Sequence, residues 1–310
     1  MARVAVVLGS GGARGYAHLG AVEELRARGH EIVAVSGTSM GALVGGLVAA
    51  GRERDFATWV LSLTQPRVIR LLDPARTGGG AVSLNRLIRT LEDMVGDAVI
   101  EELPISYTAV ATDLAARREV WFQQGPLIPA IRASIAIPGL FTPAIIAGRV
   151  LVDGGLLNPL PLDPTAAATA DFTFAVSLQG ARDPHEPMSP ARGLSVKSAE
   201  WATDLRRRFG RPEPEADDRS EATSVQPSAT LMAESPAAEL HPDLRTSDVL
   251  SQSFDAMQAL ITRYRLAALP PDVLVTVPLS AARTLDFHRA AELIDLGRNL
   301  ASAALDDAGR

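Results

Sequence analysis

The amino-acid sequence predicts an α/β fold with a central, mostly parallel mixed sheet flanked by helices. Two observations lead to this prediction: a β-branched run is followed by a glycine-rich turn and a helix, and the same order then repeats along the chain. Strands that alternate with helices form parallel sheets covered on both faces. Later strand pairs joined by short polar links add antiparallel members to the sheet.

The first strand and helix lie at the start of the chain. Residues 4–8 are five apolar residues that stop at Gly9, which is the pattern of a buried strand. Residues 14–28 carry apolar side chains at helical spacing, and Gly29 follows where a helix C-cap is expected. The turn between strand and helix reads Gly9-Ser10-Gly11-Gly12-Ala13-Arg14-Gly15.

This glycine-rich turn, here called the anion loop, predicts a site for a negative charge. The backbone N–H groups of Gly11 and Gly12 stand where a helix begins, and such groups bind anions with the help of the helix dipole. The anion is an oxyanion in an esterase and a pyrophosphate in a dinucleotide-binding enzyme. The dinucleotide alternative needs an acidic residue at the end of the second strand, where Val35-Ser36-Gly37 stands instead.

The second strand, turn and helix contain a nucleophile motif. Residues 32–35 predict a buried strand, residues 40–50 predict an apolar helix, and the turn reads Gly37-Thr38-Ser39-Met40-Gly41. A G-x-S-x-G motif in this context forms an elbow that exposes the serine Oγ, with a glycine on each side because neighbouring backbones pass close. An incidental serine in a glycine-rich turn is the alternative interpretation.

The remaining elements follow in the rest of the chain. Further strands are predicted at residues 105–112, 120–123, 144–147, 150–152, 172–178 and 273–277. A long amphipathic helix is predicted at residues 286–305, with Thr284 near its start as a cap. These strands complete the mixed sheet.

Bulk composition excludes several classes of protein. With 310 residues, 47% of them hydrophobic, the chain can form one sizeable core. It has no cysteine, so thiolate metal sites and a cysteine nucleophile are excluded, and neither a metal nor another cofactor is expected. A net charge of -6 argues against a nucleic-acid partner. No apolar stretch has the length of a signal peptide core or a membrane span, so a soluble, cytoplasmic protein is expected.

Residues 182–246 differ from the rest of the chain because they are rich in Pro, Ala, Ser and charged residues. This composition predicts a flexible insertion within a single domain of residues 1–310. Inside the insertion, residues 195–208 are a candidate helix, and Trp201 with the arginines that follow it fits contact with anionic lipid.

A second candidate for membrane contact lies earlier in the chain. Phe56, Val60 and Leu63 precede Leu71 and Leu72, with Arg67 and Arg70 between them. This pattern fits an amphipathic lid or interfacial surface. It fits an ordinary packed helix better, because such faces are the rule.

A serine nucleophile needs a base. Of the five histidines, His185 and His241 fall in the insertion. His18 and His30 lie in or just after the first helix, where structural roles are expected. His288 has no suitably placed Asp before it. Asp153 ends a predicted strand, where a carboxylate reaches the carboxyl edge of the sheet. An Asp-Gly turn residue is the other interpretation of Asp153.

Taken together, the motifs resemble the patatin-like phospholipase family, in particular its short bacterial members. The correspondence joins Ser10-Gly11-Gly12-Ala13-Arg14-Gly15 to the family's anion loop, Gly37 to Gly41 to its elbow and Asp153-Gly154-Gly155 to its D-G-[AG] motif. It covers about residues 1–180 and 250–305. In one departure, Ser10 occupies the first glycine of the family's usual G-x-G-x-x-G loop.

The resemblance implies a patatin-like fold and a Ser-Asp dyad. Ser39 is then the nucleophile, Asp153 the base, and Gly11, Gly12 and Arg14 the oxyanion and substrate-binding region, while Gly37 and Gly41 shape the elbow. The implied activity is that of an esterase, lysophospholipase or phospholipase A on lipid acyl esters, compatible with peripheral membrane contact. A thioesterase or acyltransferase would use the same residues, and a weakly active scaffold acting through the insertion is the alternative from another class. Protein partners are left open.

Overall fold

The computed structural model describes residues 1–71, 73–74, 80–181 and 246–310. The chain divides into a unit of Met1–Glu186 and Gln252–Arg310 and a second unit of Pro187–Ser251. The first unit carries the sheet, and of the second only residues 246–251, the start of a helix, are described. Apart from Thr246, the predicted insertion lies outside the described residues, as do Leu72 and Trp201.

The described secondary structure alternates strands and helices from the N-terminus. The elements are β1 Arg3–Leu8, α1 Ala17–Ala27, β2 Glu31–Thr38, α2 Met40–Ala49, α3 Glu53–Leu61, α4 Gln65–Leu71, β3 Asp73–Pro74, β4 Gly80–Ser83, α5 Asn85–Val95, β5 Ser106–Asp113, β6 Arg118–Phe122, α6 Leu127–Ser134, β7 Gly139–Phe141, β8 Ala144–Ile146, β9 Arg149–Asp153, β10 Phe172–Gly180, α7 Thr246–Ala268, β11 Val273–Pro278 and α8 Ala290–Asp307.

Eight of these strands form one sheet, in the order β11-β10-β1-β2-β5-β9-β8, with β6 paired to β5. The five strands from β11 to β5 are parallel to their neighbours, and β6, β9 and β8 join antiparallel. This confirms the predicted α/β fold with a mostly parallel mixed sheet. A second, three-stranded sheet of β3, β4 and β7 was not predicted.

Strand β5 extends past the end of β2, and this overlap sets the geometry of the sheet edge. Residues 106–110 of β5 pair with β2, and residues 111–113 pair with β9. Because β6 pairs with residues 109–113, it occupies the opposite edge of β5, and β2 and β9 share one edge. Thr38 at the end of β2 and Asp153 at the end of β9 therefore pair with successive residues of β5, Val110 and Ala111.

The helices that follow the first two strands form where the pattern predicts. Gly29 has a φ of 79° and, with His30, donates its backbone N–H to carbonyls of the last turn of α1, which is the C-cap that was expected. All ten residues of α2 are buried, as an apolar helix packed on every side must be. Residues 12–16 form a 3₁₀ turn before α1, so the predicted helix begins later than expected.

The C-terminal helix differs from its prediction. It begins at Ala290 instead of residue 286, with Arg289 at its N-cap and no side-chain cap. The predicted cap, Thr284, is held elsewhere, since its carbonyl accepts a hydrogen bond from the Ala13 N–H at 2.9 Å. Thr284 therefore takes part in a long-range backbone contact and does not cap the helix.

Helices α3 and α4 agree with the packed-helix interpretation, which the sequence favoured over an amphipathic lid. Phe56, Val60 and Leu63 are buried in the main hydrophobic core, so packing accounts for them. Arg67 and Arg70 are exposed. None of the helices in the described part of the chain has the length and apolarity needed to cross a bilayer.

Candidate active site

Ser39 stands in a strained turn between β2 and α2. Its φ of 58° and ψ of -124° are rare for a residue with a side chain. The flanking glycines are required by close backbone contacts: a Cβ on Gly37 would lie 2.2 Å from the Gly41 carbonyl oxygen, and one on Gly41 would lie 2.0 Å from that of Leu8. The turn has the geometry expected of a nucleophile elbow.

A serine on α6 fixes the elbow to the sheet. The Ser39 N–H donates to Ser134 Oγ at 2.9 Å, and Ser134 Oγ donates in turn to the Val110 carbonyl at 2.6 Å. Ser134 is fully buried. Sequence analysis gave it no role, because only the fold brings residues 95 positions apart into contact.

Asp153 lies against Ser39 because β2 and β9 end beside successive residues of β5. Ser39 Oγ donates to Asp153 Oδ2 at 2.5 Å, and the Gly155 N–H donates to Oδ1 at 2.7 Å. Asp153 is 0% exposed, and this burial raises its pKa to about 7, while the hydrogen bonds from Ser39 and Gly155 act in the opposite direction. A carboxyl group with this pKa can accept a proton near neutral pH.

The anion loop is anchored by backbone hydrogen bonds at both ends. The N–H groups of Gly9, Ser10 and Ala13 donate over 2.8–3.0 Å to carbonyls of Val176, Pro159 and Thr284. Between these anchors, the N–H groups of Gly11 and Gly12 donate to no protein group in the part of the chain that the structure describes. Two unpaired donors at a helix start are suited to bind an anion.

Ser10 fits the loop without strain, since neither Ser10 nor Gly9 has a positive φ. The Ser10 side chain serves as a hydrogen-bond acceptor. Gln258 Nε2 donates to Ser10 Oγ at 3.1 Å, and Gln179 Nε2 donates to the Ser10 carbonyl at 3.2 Å and to Gln258 Oε1 at 2.7 Å. Sequence analysis found neither glutamine.

His18 supports the same loop. Its ring is fully buried, with Nε2 2.9 Å from the Gly9 carbonyl oxygen. Burial lowers its pKa to about 4, although the bond to Gly9 raises it, so the ring is neutral near pH 7 and donates from Nε2. This is the packed role expected for it.

The other histidines either make no hydrogen bond to Ser39 or lie beyond the described residues. His30 packs edge-on against Phe172, and His288 is exposed. His185 and His241 fall outside the described part of the chain. Among the described residues, Asp153 is the group that Ser39 Oγ contacts.

Arg14 is buried, but its guanidinium turns towards α7. It donates to the Leu279 carbonyl at 3.2 Å and to Asp255 Oδ1 at 3.4 Å. The side chain thus links the 3₁₀ turn to α7. A direct contact between Arg14 and substrate stays a prediction.

An apolar cavity of about 70 Å³ opens beside Ser39. Gly12 and Ser39 both line it, so the anion loop and the elbow border the same space. Its other lining residues are Tyr16, Met40, Leu43, Phe56, Trp59, Leu63, Val68, Leu71, Leu84, Leu87, Ile135, Ile137, Phe141 and Phe287. The site therefore combines a polar centre with an apolar wall.

Comparison with known proteins gives a match over the same region. The sequence model of a family described as "Patatin-like phospholipase" matches residues 6–166, which contain the anion loop, the elbow and Asp153. An uncharacterized NTE family protein of Mycobacterium tuberculosis is 45% identical over 98% of this chain and 91% of its own length.

Two further relatives match over a shorter span. A second uncharacterized NTE family protein of Mycobacterium tuberculosis is 34% identical over 56% of this chain and 30% of its own length. A protein named lysophospholipase NTE1 from Yarrowia lipolytica is 33% identical over 64% of this chain and 14% of its own length.

Proposed function

The chain belongs to the patatin-like phospholipase family, and from this we propose that it is a serine acyl hydrolase of lipid esters. In this proposal Ser39 and Asp153 form a catalytic dyad, and the reaction passes through an acyl-enzyme. The observation that carries the proposal is the 2.5 Å hydrogen bond from Ser39 Oγ to a buried carboxyl group whose pKa is raised to about 7.

Acylation uses the dyad and the anion loop. Asp153 Oδ2 accepts the proton of Ser39 Oγ as that oxygen attacks the ester carbonyl carbon. The carbonyl oxygen becomes an oxyanion, and the N–H groups of Gly11 and Gly12 are the donors available to it; losing one such donor typically costs about 10²–10³ in rate. The intermediate then expels the alcohol, which takes the proton from Asp153.

Deacylation reverses these roles. A water molecule attacks the acyl carbonyl carbon and gives its proton to Asp153. The same two N–H groups bind the second oxyanion. Collapse of the intermediate releases the fatty acid, and Ser39 Oγ recovers its proton from Asp153.

The apolar cavity is the proposed site of the acyl chain, because its lining beyond Ser39 and Gly12 consists of aliphatic and aromatic side chains and Met40. Its volume of about 70 Å³ is small beside the roughly 300–1,000 Å³ of typical ligand pockets. Short acyl chains therefore fit best unless lining side chains move. The name of the Yarrowia lipolytica relative supports lysophospholipids as a substrate class, reached by peripheral contact with a membrane.

The central test replaces the nucleophile. We expect Ser39→Ala to lower turnover of short-chain p-nitrophenyl esters by about 10³-fold or more and to abolish labelling by a fluorophosphonate. Ser62→Ala is the matched control, because that serine is exposed at the end of α3. Equal turnover by Ser39→Ala and wild type would refute the proposal.

The leaving group and acceptor need a separate assay. Lysophospholipids, diacyl phospholipids, acyl thioesters and an added alcohol acceptor are offered in parallel, with free fatty acid and transferred acyl chain both measured. A hydrolase releases fatty acid from oxygen esters whether or not the acceptor is present. Product found mainly on the acceptor would reassign the chain as an acyltransferase.

A further inference from the structure

The inward face of α7 carries several polar side chains, although the inward face of a helix is usually apolar. Asp255, Gln258, Thr262 and Arg265 follow one another at helical spacing on that face, and Gln258 and Thr262 are buried. The apolar residues Met257, Leu260 and Tyr264 are exposed. Burying polar groups costs free energy unless they are hydrogen-bonded. The hydrogen-bond partners of these side chains therefore indicate what the face does.

Gln258 bonds directly to the anion loop. It is 2% exposed and donates to Ser10 Oγ, a residue 248 positions away in the chain. Its Oε1 accepts from Gln179, which also donates to the Ser10 carbonyl. The three side chains close a small hydrogen-bonded ring around Ser10.

Gly155, two residues after Asp153, leaves room for this ring because it has no side chain. A Cβ on Gly155 would lie 2.3 Å from Gln258 Nε2 and 2.6 Å from Ser10 Oγ. The N–H of the same Gly155 donates to Asp153 Oδ1. Ser10, Gln258 and the residue that orients the proposed base are therefore packed against each other.

We propose that Gln258 is a positioning residue that sets the direction of the Gly11 and Gly12 N–H groups by holding Ser10 Oγ. The proposal rests on the function proposed above. Ser10 immediately precedes the two unpaired donors, so a rotation at Ser10 turns the peptide that follows. A loop with glycine at this position has no Oγ for α7 to hold, so the Ser10–Gln258 pair is a particular solution of this chain. Gln258 acts through Ser10 and does not touch substrate.

The first test measures the loop itself, by hydrogen–deuterium exchange in the full chain. Gln258→Met keeps the length of the side chain and removes both hydrogen bonds. We expect faster exchange in a peptide covering residues 9–13. Thr262→Val is the matched control, because Thr262 is buried on the same face and its Oγ1 has no partner among the described residues. Equal exchange in Gln258→Met and wild type would overturn the proposal, whether or not the protein hydrolyses esters.

The second test is kinetic and uses a double-mutant cycle with p-nitrophenyl butyrate. We expect Gln258→Met to lower kcat about tenfold with little change in KM, and to weaken inhibition by an alkyl trifluoromethyl ketone, which forms a tetrahedral adduct, by a similar factor. In a Ser10→Gly background the same change should have almost no effect on kcat. Equal effects in both backgrounds would show that Gln258 stabilises the fold only.

These tests separate the two proposals. If Ser39→Ala and wild type turn over the ester equally, the proposed function fails, and the exchange experiment still decides whether Gln258 orients the loop. If wild type is active and the cycle is additive, the function stands and the positioning role fails. Ser10→Ala serves as a second background should Ser10→Gly fold poorly.

Discussion

The turns that follow β1 and β2 lie side by side at one sheet edge, yet they are built differently. The elbow depends mainly on close backbone packing, because Gly37 and Gly41 lack the Cβ atoms that would meet neighbouring backbone, and one hydrogen bond to Ser134 adds to this. The anion loop is held by groups remote in sequence, among them Gln179 and Gln258. Backbone packing contributes most to the elbow, and hydrogen bonds to distant residues are more numerous at the anion loop.

This difference predicts two kinds of failure. A steric turn has no room to relax, because densely packed backbone cannot shift without moving a strand. A turn held by several hydrogen bonds loses orientation in steps as each bond is removed, since one such bond contributes only about 0.5–1.5 kcal/mol. Substitutions in the elbow should therefore damage the fold, and those in the loop should damage catalysis first.

Gly41→Ala should have the largest effect. Its Cβ would meet the Leu8 carbonyl oxygen at 2.0 Å, so we expect a loss of more than about 4 kcal/mol in the free energy of unfolding. Gly45→Ala in the same helix is the control, because its Cβ would meet mainly the Val35 side chain at 2.8 Å. Urea denaturation measures both. Similar stability in the two variants would contradict the steric account of the elbow.

The second-largest expected effect is the pH dependence of stability. Burial raises the pKa of Asp153 to about 7, so the folded protein keeps a proton that the unfolded chain releases near pH 4. Stability from this group is fully present below about pH 4 and is lost as the pH rises to about 7, by roughly 4 kcal/mol in total. Turnover should rise over the same range, because the base must lose its proton. Asp153→Asn mimics the protonated carboxyl, so in denaturation experiments its stability should be closest to that of wild type at pH 4 and should gain on wild type as the pH rises to 8. A difference in stability that stays constant with pH would exclude the raised pKa.

Gly12→Ala should lower kcat by about 10²–10³-fold and should also lower the free energy of unfolding, though by less than Gly41→Ala. Gly12 has a φ of 57°, and a Cβ there would lie 2.5 Å from the Thr284 carbonyl oxygen that anchors the loop. Gly96→Ala isolates the effect of backbone strain, since Gly96 has a φ of 61° in open space. Circular dichroism and ester hydrolysis on both variants make the comparison. A normal kcat in Gly12→Ala would remove the loop from catalysis.

The smallest expected effect concerns the cavity that both turns share. Trp59 lines it together with Gly12 and Ser39. Trp59→Ala should enlarge the space and raise kcat/KM for longer p-nitrophenyl esters relative to the butyrate, by about tenfold, as expected for a few methylene groups in an apolar pocket. Leu61→Ala, an exposed position on the same helix, should leave the chain-length profile unchanged.

The parts of the fold that were predicted are those with local causes. Strands β1 and β2 carry continuous apolar runs, and the turns after them carry glycines that only particular geometries need. No bounds were predicted for helices α3 to α7, and the start of α8 was placed four residues too early, near Thr284, whose carbonyl accepts from the distant Ala13 N–H. Helix propensities describe single residues and cannot predict a contact between residues far apart in the sequence.

The candidate site divides in the same way. Ser39 and Asp153 were found because motifs of adjacent residues mark them, and the structure brings their side chains within 2.5 Å. Ser134, Gln179 and Gln258 were given no role from the sequence, since each acts through one hydrogen bond or two to a distant residue. Their roles become visible only when the sheet order is known.

Because β5 pairs with both β2 and β9, its residue spacing sets the distance between Ser39 and Asp153. One residue inserted between Val110 and Ala111 would move Asp153 by about 3.3 Å and turn its side chain to the opposite face. Residues added to the link after β5 or to the link after β8 lie outside the paired part of β5, so they leave the distance between Ser39 and Asp153 unchanged. Related chains should therefore vary in length at those two hairpins and keep the spacing of β5 constant.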